Sequence, residues 1–142
     1  MENIIKHINL EQWNEALDIL HKSKMLDDYV IDGNNILHIA CIRGKKAPII
    51  KILAYGANIS ISNEDGNNML HLLLKYAWDS IVNDLLELNS DICDSLLVLL
   101  SNINNDGETP LLLCVDRFDQ LDRLLKIMFK KLPISTCKSI LE

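Results

Sequence analysis

The segment Asp32-Gly33-Asn34-Asn35-Ile36-Leu37-His38 returns as Asp65-Gly66-Asn67-Asn68-Met69-Leu70-His71, displaced by 33 residues with six of seven positions identical. Chance agreement at one position is about one in twenty, so this match marks an internal repeat, and a period of this length is the signature of a solenoid built by stacking. A third copy, Asp106-Gly107-Glu108-Thr109-Pro110-Leu111-Leu112, begins 41 residues after the second. The second unit therefore carries about eight extra residues relative to the 33-residue period.

Each copy reads as one supersecondary unit. The Asp-Gly pair supplies positive φ for a tight hairpin turn. Asn35, Asn68 and Thr109 then stand where a side chain can cap a helix, and Pro110 fits a first helical position, where a missing N–H costs nothing. In the first unit Leu37, Ile39, Ala40 and Cys41 form a helical stripe that stops at Gly44. A second helix follows with Pro48 in its first turn, Ile49, Ile50, Ile52 and Leu53 on its apolar face, and Gly56 as a left-handed stop. Leu and Ile number 25 and 19 while aromatics make up only 5% of the chain, so the core is aliphatic and helices are favoured.

These residues resemble the ankyrin repeat, whose familiar form is a Gly-x-Thr-Pro-Leu-His-x-Ala-Ala stretch, a Gly, a Val-Val-x-Leu-Leu helix and a Gly-Ala-Asp-Val-Asn loop. Here they stand as Gly33-Asn34-Asn35-Ile36-Leu37-His38-Ile39-Ala40-Cys41, Gly44, Ile49-Ile50-Lys51-Ile52-Leu53 and Gly56-Ala57-Asn58-Ile59-Ser60. The third unit keeps Thr109-Pro110-Leu111, but Leu112 replaces His and Phe118 replaces the Gly between helices; the second has Ala77 at that Gly. The resemblance, over roughly residues 31 to 130, implies an all-α solenoid of helix-turn-helix units joined by β-hairpin-like loops. The expected divisions are a degenerate N-terminal capping repeat over 1–30, a repeat over 31–64, an elongated repeat with an extra helix over 65–105, and an elongated repeat with a C-terminal helix over 106–142. The extra helix is suggested by Leu88 to Leu97, which recurs loosely as Leu132 to Leu141 with Leu, Cys, Ser and the final Leu in step. The chain reads either as the N-terminal piece of a longer array or as ending in its own helical cap.

The search for chemistry is negative: the chain contains no GxxxxGK[ST], GxGxxG, HExxH or GxSxG. His38 and Cys41, three apart on one helix face, could form a nucleophile–base pair or half a metal site. The competing reading is structural, since His38 recurs at the period as His71, and the family resemblance implies that this histidine bonds within and between repeats. Cys41, Cys93, Cys114 and Cys137 lie in apolar or helical contexts without a CxxC, which fits reduced intracellular thiols. Trp13 falls on an apolar stripe and Trp78 at a helix junction. No catalytic residue, metal or cofactor is expected.

Acidic residues number 20 against 14 Lys plus Arg, for a formal charge of -6, which opposes binding to a phosphate backbone. No apolar run approaches the ~20 residues needed to cross a bilayer, and no small-molecule substrate is indicated. The resemblance instead implies a protein-interaction module displaying a concave face of hairpin tips and inner-helix ends. The expected lining is Ile31, Asp32, Asn34, Ile42 and Arg43 in one unit; Glu64, Asp65, Asn67, Lys75 and Tyr76 in the next; and Asn105, Asp106, Glu108, Asp116 and Arg117 in the third. Arg43, Tyr76 and Arg117 are expected to project as anchors, and the acidic rim to favour a basic partner segment. Such a module serves as a targeting domain of a larger enzyme or effector, or as a small inhibitor of a kinase or transcription factor. The expected location is intracellular and cytoplasmic, with host cytoplasm or nucleus open if the source is a virus or bacterium.

Overall fold

The computed structural model describes residues 4–141; the ends of the first and last expected divisions, Met1 to Asn3 and Glu142, lie outside the described residues. The chain forms α1 (Ile4–Asn9), α2 (Trp13–Lys22), a hairpin of β1 (Val30–Ile31) and β2 (Asn34–Asn35), α3 (Ile36–Ile42), α4 (Lys46–Ala54), α5 (Met69–Lys75), α6 (Asp79–Leu88), α7 (Ser90–Val98), α8 (Phe118–Lys131) and α9 (Ile134–Leu141). Short 3-10 turns occupy Leu99–Ser101 and Pro110–Cys114. The short inner segments α3, α5 and Pro110–Cys114 pack in succession, and the longer helices α2, α4, α6 and α8 stand outside them. This is the expected mostly helical solenoid.

No unit has a core of its own. Leu37, Ala40 and Cys41 on α3 and Leu70, Leu73 and Leu74 on α5 are buried between successive inner helices, so each unit depends on its neighbour for the burial that stabilises it. The N-terminal pair α1 and α2 repeats this frame in worn form. Ile4 and Ile8 on α1 and Trp13, Ala16, Leu17 and Leu20 on α2 are all buried. Glu11 (φ 59°) and Lys24 (φ 58°) take the left-handed places that Gly44 and Gly56 hold one unit later.

Helices α7 and α9 lie in the two segments that recur at a displacement of 44. Asn89 caps α7 by accepting from the Ile92 N–H at 2.9 Å, and α9 starts 44 residues after α7. Cys93 and Cys137 are buried at matching places, and Ser95 and Ser139 each donate to the carbonyl four residues earlier, at 2.9 and 3.1 Å. Both helices bury a narrow stripe against the preceding outer helix.

The third unit departs from expectation. Its inner segment is a 3-10 turn, Pro110–Cys114, in place of an α-helix, and Arg117 is already the residue before α8. Arg117 therefore matches Lys45 and Trp78, which precede α4 and α6, and Phe118 opens the outer helix instead of replacing a glycine. Two residues are missing from the inner segment. The physical reason lies at its start: Thr109 makes no capping bond, and Leu112 cannot return one, so the first turn lacks the reciprocal cap that organises α3 and α5.

Two inter-helix positions show what the backbone demands. Gly44 has φ 65°, and a Cβ there would overlap the Trp78 indole, whose Nε1 donates to the Ile42 carbonyl at 3.2 Å. Ala77 takes the same left-handed conformation at φ 60° with an exposed side chain. Ala77→Gly is thus expected to stabilise the fold by about 1 kcal/mol by removing the left-handed penalty, whereas Gly44→Ala is expected to destabilise it by about 2 kcal/mol or more through strain plus overlap. Thermal unfolding of both variants checks the opposite signs.

Candidate functional site

The hairpins decide how the groove side of the stack is built. In the first, Asp32 (φ 51°) and Gly33 (φ 81°) both take positive φ, so a two-residue turn joins the paired strands, with Ile31 opposite Asn34. In the later hairpins only Gly66 and Gly107 are left-handed. There the Oδ1 of Asn63 accepts from the Asp65 and Asn67 N–H groups at 3.0 and 2.9 Å, and that of Asn104 from Asp106 and Glu108 at 3.0 and 2.9 Å. An asparagine side chain thus replaces part of the backbone turn. Val30, the corresponding residue of the first unit, has no such acceptor, which accounts for the tighter turn.

The hairpins are also stitched to one another. The Nδ2 of Asn63 donates to Asn34 Oδ1 and that of Asn104 to Asn67 Oδ1, both at 2.9 Å. Backbone bonds run from Glu64 N to Gly33 O and from Asn105 N to Asp65 O, and Asn105 Nδ2 donates to Glu64 O at 2.9 Å. Several residues expected on the partner-binding face are therefore committed to stacking. Asn67 is buried and its amide is occupied; Asn34, Asn105 and Glu108 spend side-chain contacts on the ladder, Glu108 accepting from Asn104 Nδ2 at 3.1 Å.

Arg117 is the clearest correction. It does not project beside Arg43 and Tyr76. Because the inner segment is two residues short, its guanidinium reaches back to Asp79 at 2.8 and 2.9 Å and donates to the Leu74 carbonyl at 2.6 Å, tying the third unit to the end of α5. The Asp79 carboxylate beside it raises its pKa above the ordinary guanidinium value. Asp116 stays exposed beside it.

What the structure brings together is the first unit's group. Ile31, Asp32, Asn34, Ile42 and Arg43 line one surface depression, joined by Ile5 from α1 and Ile39 from α3. The expected lining omits both: Ile39 lies on the α3 stripe that reads as core, and Ile5 lies on α1, ahead of the units from which that lining is drawn. Arg43 is held in place by a 3.0 Å bond to Asn9 Oδ1. Along the same side, Tyr76 is 45% exposed with Lys75 Nζ over its ring, and the carboxylates of Asp32, Glu64, Asp65 and Asp106 are exposed at successive hairpins. The arrangement offers an apolar depression, an aromatic ring and a row of negative charge.

His38 and His71 are fully engaged elsewhere. Each Nδ1 accepts the N–H of its capping asparagine, from Asn35 at 3.0 Å and Asn68 at 3.1 Å, which leaves the proton on Nε2. Nε2 then donates to the next hairpin along the stack, to Ile61 O at 2.9 Å and to Glu108 O at 2.8 Å. This is the bonding within and between repeats that the resemblance implied. Neither imidazole has a nitrogen left for a thiol, and burial raises the Cys41 pKa far above the ordinary thiol range and that of Cys114 to about 11. A nucleophile–base pair is not formed. Among the described residues, no group of three or more His, Cys, Asp or Glu could hold a metal ion, and no helix is long and apolar enough to cross a membrane.

Desolvation lowers the pKa of both histidines despite their bonds to carbonyls. The folded chain thus binds fewer protons than the unfolded one, in which imidazole titrates near about 6.5. The contribution is present in full above that pH and is lost as pH falls below it. Chemical denaturation across pH 5 to 8, a window of about 1.5 units either side of the free imidazole value, is expected to show stability falling on the acid side, with the slope reduced in His38→Gln.

Comparison with known proteins agrees with this geometry. Residues 32–64 match the family model for the ankyrin repeat. An 82-residue stretch, 58% of this chain, is 24% identical to part of the poly [ADP-ribose] polymerase tankyrase of Caenorhabditis elegans, of which it covers 4%. The chain thus spans a small fraction of that enzyme's length. Ankyrin repeats are a general protein–protein interaction module and are generally non-catalytic. With the matched unit, the histidine bonds and the helical stack together, residues 32–64 are an ankyrin repeat and the helical stack that contains them is consistent with the architecture of an ankyrin-repeat solenoid.

Proposed function

We propose that this chain is a non-catalytic binding module that holds a basic segment of a partner protein along the side carrying the hairpin tips and inner-helix ends. The observation that carries the reading is the depression formed by Ile5, Ile31, Asp32, Asn34, Ile39, Ile42 and Arg43. An apolar side chain of the partner fills it, while flanking Lys or Arg residues meet the exposed carboxylates of Asp32, Glu64, Asp65 and Asp106. Tyr76 serves as an aromatic anchor further along the same side. The binding surface is preorganised, because the hairpins are bonded to one another before any partner arrives.

Asp32 and Asp65 carry mostly long-range attraction, so they act on association rate and salt dependence more than on packing. A peptide array pairing one apolar residue with flanking lysines or arginines supplies the probe. Binding is expected to weaken as salt rises, and by at least about tenfold, or 1.4 kcal/mol, in the Tyr76→Ala/Asp65→Lys double variant, with the melting temperature nearly unchanged. Equal binding by the double variant removes these residues from the function.

A second reading draws on the match to the tankyrase: the same groove steers a larger enzyme to its substrates. Fusing the chain to an unrelated enzyme then raises kcat/KM only on substrates that carry the basic segment, and no such gain contradicts it.

A further inference from the structure

We infer that Asp32–Gly33 is a self-modification site, at which the Gly33 amide nitrogen closes on the Asp32 side chain to give a succinimide that water reopens as an isoaspartyl link. The same dipeptide stands at all three hairpin tips, followed by Asn at the first two and by Glu at the third. Asp32, Asp65 and Asp106 are all exposed. What separates the three is how each turn holds the peptide that has to react.

Ring closure turns the glycine nitrogen toward the aspartyl Cγ and so rotates the peptide plane between the two residues. In the second hairpin that plane is pinned at both ends, with the Gly66 N–H donating to Asn63 O at 2.9 Å and Asp65 O accepting from Asn105 N at 3.0 Å. In the third, the Gly107 N–H donates to Asn104 O at 3.0 Å. The Asn63 and Asn104 side chains hold those turns further by accepting from the Asp65 and Asp106 N–H groups. The first hairpin has no such clamp: among the described residues the Gly33 N–H finds no acceptor, and the Asp32 carbonyl receives only Asn34 Nδ2 of its own turn, at 3.4 Å. Glu64 lies against the Gly33 α-carbon and leaves the nitrogen without a bond. Asp32 is also the aspartate of the three that takes positive φ, at 51°, a conformation that costs an L-residue backbone energy, so leaving it releases strain.

The chemistry needs only the chain and water. With the Asp32 carboxyl protonated, the Gly33 nitrogen bonds to Cγ and gives up its proton, the carboxyl hydroxyl leaves with that proton as one water, and a five-membered ring remains. Gly33 has no Cβ to obstruct the approach. Water then adds to the ring carbonyl that was the Asp32 backbone carbonyl, the bond from that carbon to the Gly33 nitrogen breaks, and the new carboxyl stands on the Asp32 α-carbon. Addition at the other ring carbonyl restores aspartate. Mass and charge return to those of the parent, while the backbone now runs through Cβ and Cγ and is one atom longer.

A two-residue turn has no slack for the added atom, because its geometry sets the pairing of Ile31 with Asn34. Isomerisation therefore loosens the hairpin that carries Ile31, Asp32 and Asn34, together with the 3.2 Å bond from Glu64 N to Gly33 O that ties it to the next hairpin. The reaction is slow and spontaneous, and it proceeds whether or not the groove side binds a partner protein.

Incubation of the folded full chain at neutral pH and physiological temperature, followed by peptide mapping for isoaspartyl peptides of unchanged mass, tests the assignment. Isoaspartate is expected to accumulate at Asp32 faster than at Asp65 or Asp106 by roughly fivefold or more, because at those two sites a turn hydrogen bond must open before the ring can close. In concentrated urea Asp32 and Asp65, both followed by Gly and Asn, are expected to react at similar rates. Asp32→Glu, whose longer side chain cannot form the five-membered ring, is expected to remove the product from that peptide in the folded chain and in urea alike. A folded chain in which Asp32 isomerises no faster than Asp65 or Asp106 overturns the inference, and so does an excess at Asp32 that persists undiminished in urea.

Discussion

The histidine at the start of α3 and of α5 caps its own helix and holds the following hairpin at once, and the rest of the stack depends on it. Its Nδ1 takes the N–H of the capping asparagine while that asparagine's Oδ1 takes the histidine's own N–H, so two orphan donors of the helix start are satisfied reciprocally. Its Nε2 is then fixed in direction and finds a carbonyl at the following hairpin. The cap and the interface are one structure. A unit that loses its neighbour gives up this hydrogen bond as well as uncovering an apolar face, and both losses act in the same direction.

Around this interlock the polar and apolar contributions divide by position. Asparagine amides join the hairpins on one side, aliphatic inner helices fill the middle, and ion pairs such as Lys46–Asp84 and Arg123–Glu87 link the outer helices at 2.7 and 3.1 Å. Those pairs are largely exposed, so screening leaves them a small share of the stability. The partly buried Arg117–Asp79 contact differs because the guanidinium also caps the carbonyl end of α5. It replaces, in the third unit, the register that the missing residues would otherwise set.

Much of this was legible from local signals with long reach. The recurring Asp-Gly turn, the Asn–Leu–His cap and the glycines at 44 and 56 each demand one backbone conformation, and together they set the unit, its period and its helix ends. The displacement of 44 between Cys93 and Cys137 likewise announced the extra helices. What the residues did not announce was competition between units. Asn67 looks like an exposed hairpin residue until Asn104, many residues later, takes its amide. Arg117 looks like a groove anchor as long as the inner helix is assumed to keep its length, and the loss of two residues turns it toward Asp79. Ile39 reads as core because periodicity reports an apolar face without saying how completely a neighbour covers it.

Two-bond proton–nitrogen correlation of the imidazole rings in the folded protein reads the tautomer on which the cap and the interface both rest. At neutral pH His38 and His71 are expected to be both neutral with the proton on Nε2 and an unprotonated, hydrogen-bonded Nδ1, and protonation of either ring is expected to accompany loss of the stack. Rings that carry the proton on Nδ1, or that titrate freely while the protein stays folded, would contradict it.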